Sequence, residues 1–212
     1  MKYQCGIFDL DGVLVDTAKY HYLGWKKLAD RLGFSFTEQQ NEALKGISRM
    51  AALDLLLKMG DMNEKFSEEE KEELAAEKNQ YYLDFVSQLK EEELLPGVTE
   101  LFERMKQANI KIALGSASKN ARLILERLHI KDYFDFIVDG TLVKKAKPDP
   151  EVFTLSADRL GIPYEKCVVF EDSAAGIQAA KTAGMTAVGI GTRKNLPMAD
   201  YICSNVGEFT WQ

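Results

Sequence analysis

Residues 5–14 read CGIFDLDGVL, an apolar run that ends in two aspartates one position apart and then a glycine. The apolar part is typical of a buried strand that ends at Asp9, and Gly12 allows the backbone to turn sharply after Asp11. Because open α/β sheets bind ligands at the carboxyl ends of their strands, both carboxylates are expected where chemistry takes place. An isolated Asp-x-Asp-Gly also occurs in calcium loops and plain turns, so this stretch alone leaves its role open.

The composition is that of a globular protein with an excess of acidic residues. The chain has 212 residues, 46% of them hydrophobic, which suffices for one core with a small inserted domain. Its net charge of −6 argues against a nucleic-acid partner. No apolar run approaches the roughly 18 residues of a membrane span, and we expect no signal peptide before the first strand. Cys5, Cys167 and Cys203 lack metal-ligand spacing, so we expect reduced cysteines in a cytoplasmic protein with no membrane partner.

The segment between residues 17 and 89 shows only helical periodicity. The predicted helices cover residues 20–32, 38–45, 50–57 and 67–89. The last of them opens with a capping box at Ser67 and Glu70. Four helices between two strands are too many for an ordinary crossover, so we predict an inserted helical domain.

Beyond Leu95 the chain alternates between helices and strands. The predicted strands cover residues 110–114, 134–138, 168–170, 187–190 and 201–202, and the predicted helices residues 98–108, 121–128, 150–160 and 174–183. This alternation predicts an α/β fold, a doubly wound parallel (Rossmann-like) sheet with helices on both faces. The predicted domains are an α/β core of residues 1–16 and 90–212 and a small helical cap of residues 17–89.

Three further loops of the predicted sheet carry polar groups. The sequence GSASKN at 115–120 precedes a helix and suits a phosphate cradle, although Ser118 or Asn120 could equally cap that helix. The sequence KKAKPDP at 144–150 offers a lysine on a stiff loop, either to offset phosphate charge or as a solvated side chain. The sequence EDS at 171–173 suits a hard divalent cation, or a helix cap.

These loops follow strands of one parallel sheet, so their side chains are expected at one edge. The expected set is Asp9, Asp11, Ser116, Lys147, Glu171 and Asp172. A nucleophile, a cation site, a hydroxyl and a lysine at one edge describe phosphoryl transfer through an aspartyl phosphate.

The same residues resemble the four motifs of the haloacid dehalogenase superfamily of phosphotransferases. In chain order the motifs are DLDG at 9–12, Ser116, Lys147-Pro148 and Glu171-Asp172. The helical insert directly after the first motif looks like the small cap domain of that superfamily. Within it, the chain is most similar to the branch that interconverts β-glucose 1-phosphate and glucose 6-phosphate. The residues that carry this closer resemblance are Asp16-Thr17-Ala18, His21, Trp25, LKGISR at 44–49, Lys78-Asn79 and GSASKN at 115–120.

The resemblance implies a role for each residue of the core. Asp9 would be the nucleophile that becomes phosphorylated, and Asp11 the general acid/base. Ser116 and Lys147 would bind the transferring phosphoryl group. The implied cofactor is Mg²⁺, held by Asp9, the Asp11 backbone carbonyl and Asp172, with Glu171 assisting.

The resemblance also implies that the cap contributes to substrate binding. Arg49 would bind the second, non-reacting phosphate, and His21 and Lys78 would act near Asp11 and the sugar. Thr17 is included among the catalytic residues. The other implied substrate-binding residues are Trp25, Lys45, Gly46, Ser48, Ala117, Ser118, Lys119 and Asn120. A serine expected just after the arginine is replaced here by Ala51-Ala52, which removes one hydroxyl.

The resulting prediction is a monomeric sugar-phosphate mutase that works through an aspartyl phosphate and β-glucose 1,6-bisphosphate. The alternative within the superfamily is a phosphatase of a small sugar phosphate, which would share the core and differ in the cap. A signalling receiver module is disfavoured because such modules are shorter and lack a helical insert. A non-catalytic sugar-phosphate-binding module would have little use for both Asp9 and Asp11.

Overall fold

The structure is a computed structural model that describes residues 2–44 and 48–211, and the strands in those ranges form one six-stranded parallel sheet. The strands are β1 (Cys5–Phe8), β2 (Lys111–Gly115), β3 (Phe136–Val138), β4 (Cys167–Glu171), β5 (Thr186–Ile190) and β6 (Tyr201–Cys203). Their order is β3-β2-β1-β4-β5-β6. The predicted fold class is therefore confirmed, and each predicted strand is present within about two residues of its expected bounds.

Helices connect these strands and also form the segment inserted after β1. In the described residues the α-helices are α1 (Ala18–Leu32), α2 (Glu38–Asn41), α3 (Arg49–Met59), α4 (Glu68–Val86), α5 (Val98–Gln107), α6 (Ala121–Arg127), α7 (Glu151–Leu160) and α8 (Ala174–Thr182). The predicted helix over 38–45 is shorter, because α2 gives way to a 3₁₀ turn at Glu42–Leu44. The helix predicted to reach residue 89 ends at Val86. Across the described ranges, no helix combines the length and the apolar character that a membrane span requires.

The chain divides into two compact units. One comprises Met1–Asp16 and Leu89–Gln212 and contains the sheet, whereas the other comprises Thr17–Gln88 and is helical. The boundary differs by one residue from the expected division, because Leu89 belongs to the α/β unit.

The α/β unit is built around strands that are apolar on both faces. The burial pattern is complete along β1, where all four residues are inaccessible, as a parallel sheet covered by helices requires. Phe8 stacks on Phe170 of β4 with ring centroids 4.5 Å apart, and it meets Phe102 of α5 edge-on at 5.1 Å. This packing fixes β1 between β2 and β4, so residue 9 leaves the sheet at the point where the strand order reverses.

The helical unit has a separate apolar core. Buried residues of α1 and α3 such as Leu28 and Leu53 pack there with residues of α4. Along α4 the apolar positions differ in burial, since Leu74 is buried whereas Tyr81 and Phe85 are only partly buried. The buried positions of α4 are Leu74, Ala75, Lys78, Tyr82 and Val86. The buried face of α4 therefore includes a lysine.

Candidate active site

Lys147 joins two buried carboxylates at the carboxyl edge of the sheet. Its Nζ donates to Oδ1 of Asp9 at 2.6 Å and to Oε2 of Glu171 at 2.7 Å. Asp9 directly follows β1 and its amide donates to the carbonyl of Phe170, while Glu171 ends the neighbouring strand β4. Asp9 and Glu171 are 7% and 1% exposed, so the lysine is a partner inside the protein and not a solvated side chain.

Asp172 completes an acidic cluster with Asp9 and Glu171. One carboxylate oxygen from each of the three lies within 4.8 Å of the others. Gly12 makes room for this cluster, because a Cβ at that position would lie 2.0 Å from Oδ2 of Asp172. The glycine also has φ of +73°, a conformation that other residues rarely adopt. Asp11 lies next to this turn and is half-buried.

The pKa values of the cluster are shifted because like charges lie close together where little water reaches them. Burial raises the pKa of Asp9 well above its usual range, with Glu171 and Asp11 adding to the effect and Lys147 opposing it. Asp172 is exposed as a residue, but the protein around its carboxylate and the charge of Glu171 raise its pKa to about 7. Burial alone would lower the pKa of Lys147, yet Asp9 and Glu171 raise it above its usual value.

The donor set of this cluster fits a hard divalent cation. Three carboxylates carry more negative charge than the single ammonium of Lys147 can neutralise, and their oxygens converge. Oxygen ligands of this kind are the ones that Mg²⁺ and Ca²⁺ take in proteins. Ser173 donates to Oε1 of Glu171 through its amide, at 3.0 Å, and through its hydroxyl, at 2.6 Å. Glu171 is thereby held in one orientation by groups on both of its oxygens.

The loop between β2 and α6 presents a row of donors at the same edge. Ser116 is buried, and its Oγ accepts the amide of Ser118 at 3.1 Å, while Oγ of Ser118 accepts the amide of Asn120 at 3.3 Å. Each hydroxyl therefore has its own proton left to donate to an anion. The side chain of Asn120 makes no capping bond to α6, and Ala117 and Lys119 are exposed. These contacts favour the phosphate interpretation of this loop over simple capping.

In the helical unit Lys78 and His21 form a close pair. Nζ of Lys78 lies 3.0 Å from Nδ1 of His21, and the His21 ring stacks on Tyr82 with centroids 4.1 Å apart. Lys78 is 3% exposed. Trp25 is buried beneath it, with the ammonium 4.5 Å from the ring centroid. Trp25 thus contacts Lys78 from the core of the helical unit.

The first turn of α3 carries the other polar groups of the helical unit. Arg49 is exposed and donates from Nη2 to Oδ1 of Asn79 at 2.8 Å. Ser48 caps α3, its Oγ accepting the amide of Ala51 at 3.2 Å, so its oxygen already has a structural partner. Thr17 is buried at the start of α1. Lys45 and Gly46, both expected to bind substrate, lie outside the described residues.

Sequence reasoning missed three supporting residues. It treated Ser173 as a cap, which it is, accepting the amide of Gly176 at 3.0 Å, but overlooked its two bonds to Glu171. It assigned no role to Asn79, and it passed over Asp139, which follows β3 and is buried. The position of Asp139 at a strand end was the available signal, because this is also where Asp9 and Glu171 lie.

An aspartate, a lysine and an acidic pair meet at the edge of this parallel α/β sheet, beside its switch point. This arrangement is typical of the class of enzymes in which a carboxylate attacks phosphorus or carbon as the nucleophile. The family follows from comparison with known proteins. A model of haloacid dehalogenase-like hydrolases matches residues 3–184, and the chain belongs to that family.

Two relatives with different activities stand out. The chain is 45% identical to the β-phosphoglucomutase of Bacillus subtilis over 204 residues, covering 96% of this chain and 90% of that protein. It is 36% identical to a phosphorylated carbohydrates phosphatase of Thermotoga maritima, covering 84% of this chain and 81% of that one. A crystal structure of β-phosphoglucomutase from Clostridium difficile superposes with a TM-score of 0.86 at 44% identity, covering 99% of this chain and 94% of that chain. The predicted membership of the superfamily and the closer likeness to β-phosphoglucomutases are thus confirmed.

Proposed function

We propose that this protein interconverts β-glucose 1-phosphate and glucose 6-phosphate through a phosphorylated Asp9 and β-glucose 1,6-bisphosphate. The observation that carries the proposal is the similarity to the Bacillus subtilis β-phosphoglucomutase, which extends over 96% of the chain. The geometry of the α/β unit supports the same chemistry independently, since Asp9 is buried beside a lysine and two further acids.

In the proposed reaction the Asp9 carboxylate attacks phosphorus in line with the bond to the leaving sugar oxygen. A carboxylate approaching a phosphate dianion meets strong repulsion, so most of the acceleration must come from positioning and charge stabilisation. Lys147, already 2.6 Å from Asp9, neutralises part of that charge, and the Ser116 hydroxyl donates to a phosphoryl oxygen. Mg²⁺ would be held by Asp9, the Asp11 backbone carbonyl and Asp172, with Glu171 assisting, and would supply further charge neutralisation at the transferring group.

Asp11 serves as the proton donor and acceptor of both half-reactions. It gives its proton to the sugar oxygen that leaves phosphorus, and it takes a proton from the sugar hydroxyl that attacks the phosphorylated Asp9. The backbone turn at Gly12 follows it directly and ties the segment back, with the Gly12 amide donating to the carbonyl of Val15 at 2.9 Å. Asp11 is half-buried beside this turn.

A mutase needs a second set of groups for the phosphate that is not reacting. In the α/β unit we assign this role to Ser118, Lys119 and Asn120, whose donors are not consumed by capping α6. In the helical unit we assign it to Arg49, which Asn79 orients. Lys78 and His21 would contact the sugar hydroxyls. We further propose that the enzyme acts as a cytoplasmic monomer.

A phosphatase of small sugar phosphates is the second candidate, favoured by the Thermotoga maritima relative. It would use the same Asp9 chemistry, with water in place of the sugar hydroxyl as the second acceptor. In their chemistry the two candidates therefore differ in what attacks the phosphorylated aspartate.

A paired product assay separates them. The purified protein is incubated with Mg²⁺, β-glucose 1-phosphate and a trace of β-glucose 1,6-bisphosphate, and glucose 6-phosphate and free phosphate are followed together. Glucose 6-phosphate without free phosphate is the expected result. Free phosphate released in proportion to substrate lost, without glucose 6-phosphate, would reject the mutase and support the phosphatase.

A further inference from the structure

Asp139 is a buried acid at the end of β3 that the proposed chemistry does not use. It is 2% exposed, yet its carboxylate is fully engaged. Oδ2 accepts Nε of Arg122 at 2.8 Å, and Oδ1 accepts both the amide and the hydroxyl of Thr141. Arg122 also donates from Nη2 to the carbonyl of Ile137 at 3.2 Å. A buried carboxylate with this many partners is costly to build, which suggests that it holds something in place.

Arg122 connects Asp139 to the phosphate loop. Arg122 is the second residue of α6, and this helix begins directly after the loop of residues 116–120. The bidentate use of its guanidinium, to Asp139 and to Ile137, fixes the first turn of α6 against the end of β3. The end of the loop that leads into α6 is therefore held against β3, the neighbour of the strand β2 from which the loop starts.

Gly140 makes a second contact between the segment after β3 and the loop, through backbone atoms alone. Its amide donates to the carbonyl of Ser118 at 3.1 Å. A Cβ at this position would lie 2.1 Å from the carbonyl oxygen of Ala117 and 3.0 Å from the amide of Lys119, so the loop rests directly on the glycine. A third tie is the amide of Ser116, which donates to the carbonyl of Val138 at 3.0 Å.

These ties set the directions of the donors in the loop. Because the loop is held at 116, at 118 and at 122, the two serine hydroxyls and the side chains of Lys119 and Asn120 project from a fixed backbone. A shift of about 1 Å at such a site can cost as much as 100-fold in rate. Moving the far end of the loop would disturb the groups assigned to the second phosphate more than Ser116, which lies next to the sheet.

We propose that Asp139, acting through Arg122 and together with Gly140, is the positioning residue that holds loop 116–120 in its phosphate-binding conformation. The inference rests on the proposed sugar-phosphate function and extends it to residues that touch no substrate. It predicts that Asp139 matters for substrates bound at two places and not for a small phosphate donor, which needs Asp9, Lys147 and Ser116 but none of the groups assigned to the second phosphate.

The test compares two substrates in Asp139→Asn, Arg122→Gln and Gly140→Ala. We expect the KM for β-glucose 1-phosphate to rise on the order of tenfold in each, while kcat/KM for hydrolysis of acetyl phosphate stays at the wild-type value. Arg122 is half-exposed, so Arg122→Gln guards against a folding failure in the other two. Arg122→Lys retains the charge and is expected to recover part of the lost affinity.

Asp135→Asn is the matched control. Asp135 precedes β3, at the opposite edge of the sheet, and pairs in the same way with a cation and an amide, Nζ of Lys111 at 2.7 Å and the Ile112 amide at 2.9 Å. The Asp135→Asn substitution is expected to lower the stability of the protein without changing the KM for the sugar phosphate. Unchanged KM values in the Asp139 and Arg122 variants, or an equal rise in Asp135→Asn, would overturn the inference.

The same measurements keep this inference separate from the mutase proposal. If wild-type protein releases phosphate from β-glucose 1-phosphate and forms no glucose 6-phosphate, the mutase is rejected, and the KM of that hydrolysis still tests Asp139. If glucose 6-phosphate forms but the variants bind substrate normally, the mutase stands and the positioning role is rejected.

Discussion

Nζ of Lys78 lies 3.0 Å from Nδ1 of His21 on the buried face of α4, and within residues 2–44 and 48–211 no carboxylate pairs with this lysine. Its ammonium lies instead over the rings of Trp25 and Tyr82, at 4.5 and 5.2 Å from their centroids. When Lys78 is charged it can only donate, so Nδ1 of His21 accepts and the ring proton lies on Nε2. Burial, Lys78 and Arg49 all lower the pKa of His21, so the ring is neutral near pH 7.

The stability of the protein should depend on pH through Lys78. Burial and the charge of Arg49 lower the pKa of Lys78 to about 7, whereas the pKa of a lysine in the unfolded chain is about 10.4. Between these values the unfolded chain binds a proton that the folded protein releases, so this residue makes stability rise with pH from about 7 to about 10. We expect wild-type protein to gain stability relative to Lys78→Met across that range, measured by urea denaturation. A difference that stays constant from pH 7 to pH 10 would contradict the lowered pKa.

Replacing Asp9 by asparagine should abolish turnover. The amide has no carboxylate oxygen to attack phosphorus, so we expect a loss of about 10³-fold or more in kcat. Intact-protein mass measured after exposure to acetyl phosphate should show one added phosphoryl group in wild-type protein and none in the variant. Asp158→Asn is the control, since this exposed carboxylate accepts the hydroxyl of Tyr164 at 2.8 Å and has no part in the proposed site. Wild-type turnover rates in Asp9→Asn would show that Asp9 is not the nucleophile.

Replacing Lys147 by methionine should destabilise the metal-free protein. The change leaves Asp9 and Glu171 buried without their shared cation, and breaking a buried pair in this way costs about 3 kcal/mol. Lys181→Met is the comparison, because that lysine makes a 2.6 Å pair with Asp200 at the surface, where such pairs contribute about 1 kcal/mol or less. Equal losses in the two variants, measured by urea denaturation without added Mg²⁺, would show that burial of the Lys147 pair has no special effect.

Gly12→Ala should weaken cation binding more than folding. Its Cβ would meet Oδ2 of Asp172 at 2.0 Å and displace that carboxylate from the acidic cluster. We expect the Mg²⁺ concentration for half-maximal activity to rise about tenfold or more. Gly161→Ala separates this contact from backbone strain, because Gly161 also has a positive φ, +66°, but nothing lies within 4 Å of its Cβ. A similar shift in both variants would assign the effect to strain.

The fold was largely predictable because its signals are local. Each strand is an apolar run bounded by turn residues, and the helices of the α/β unit carry clear starts and stops. The acidic and hydroxyl residues at the strand ends were also predictable, since parallel strands bring their carboxyl ends to one edge. The buried face of α4 was not predictable, because Tyr81, Tyr82, Phe85 and Val86 offer two apolar faces, and the folded chain buries Tyr82 and Val86.

The sequence by itself determined the α/β class, the helical insert and the residue types that meet at the edge of the sheet, because periodicity and strand ends are written in neighbouring residues. Only the tertiary structure decided that Lys147 bridges Asp9 and Glu171, that Lys78 is buried against His21, and that Asp139 reaches Arg122. The physical reason is that each of these pairs joins residues between 17 and 138 positions apart. The energy of a buried charge depends on the partners that folding brings to it, and a sequence pattern does not record those partners.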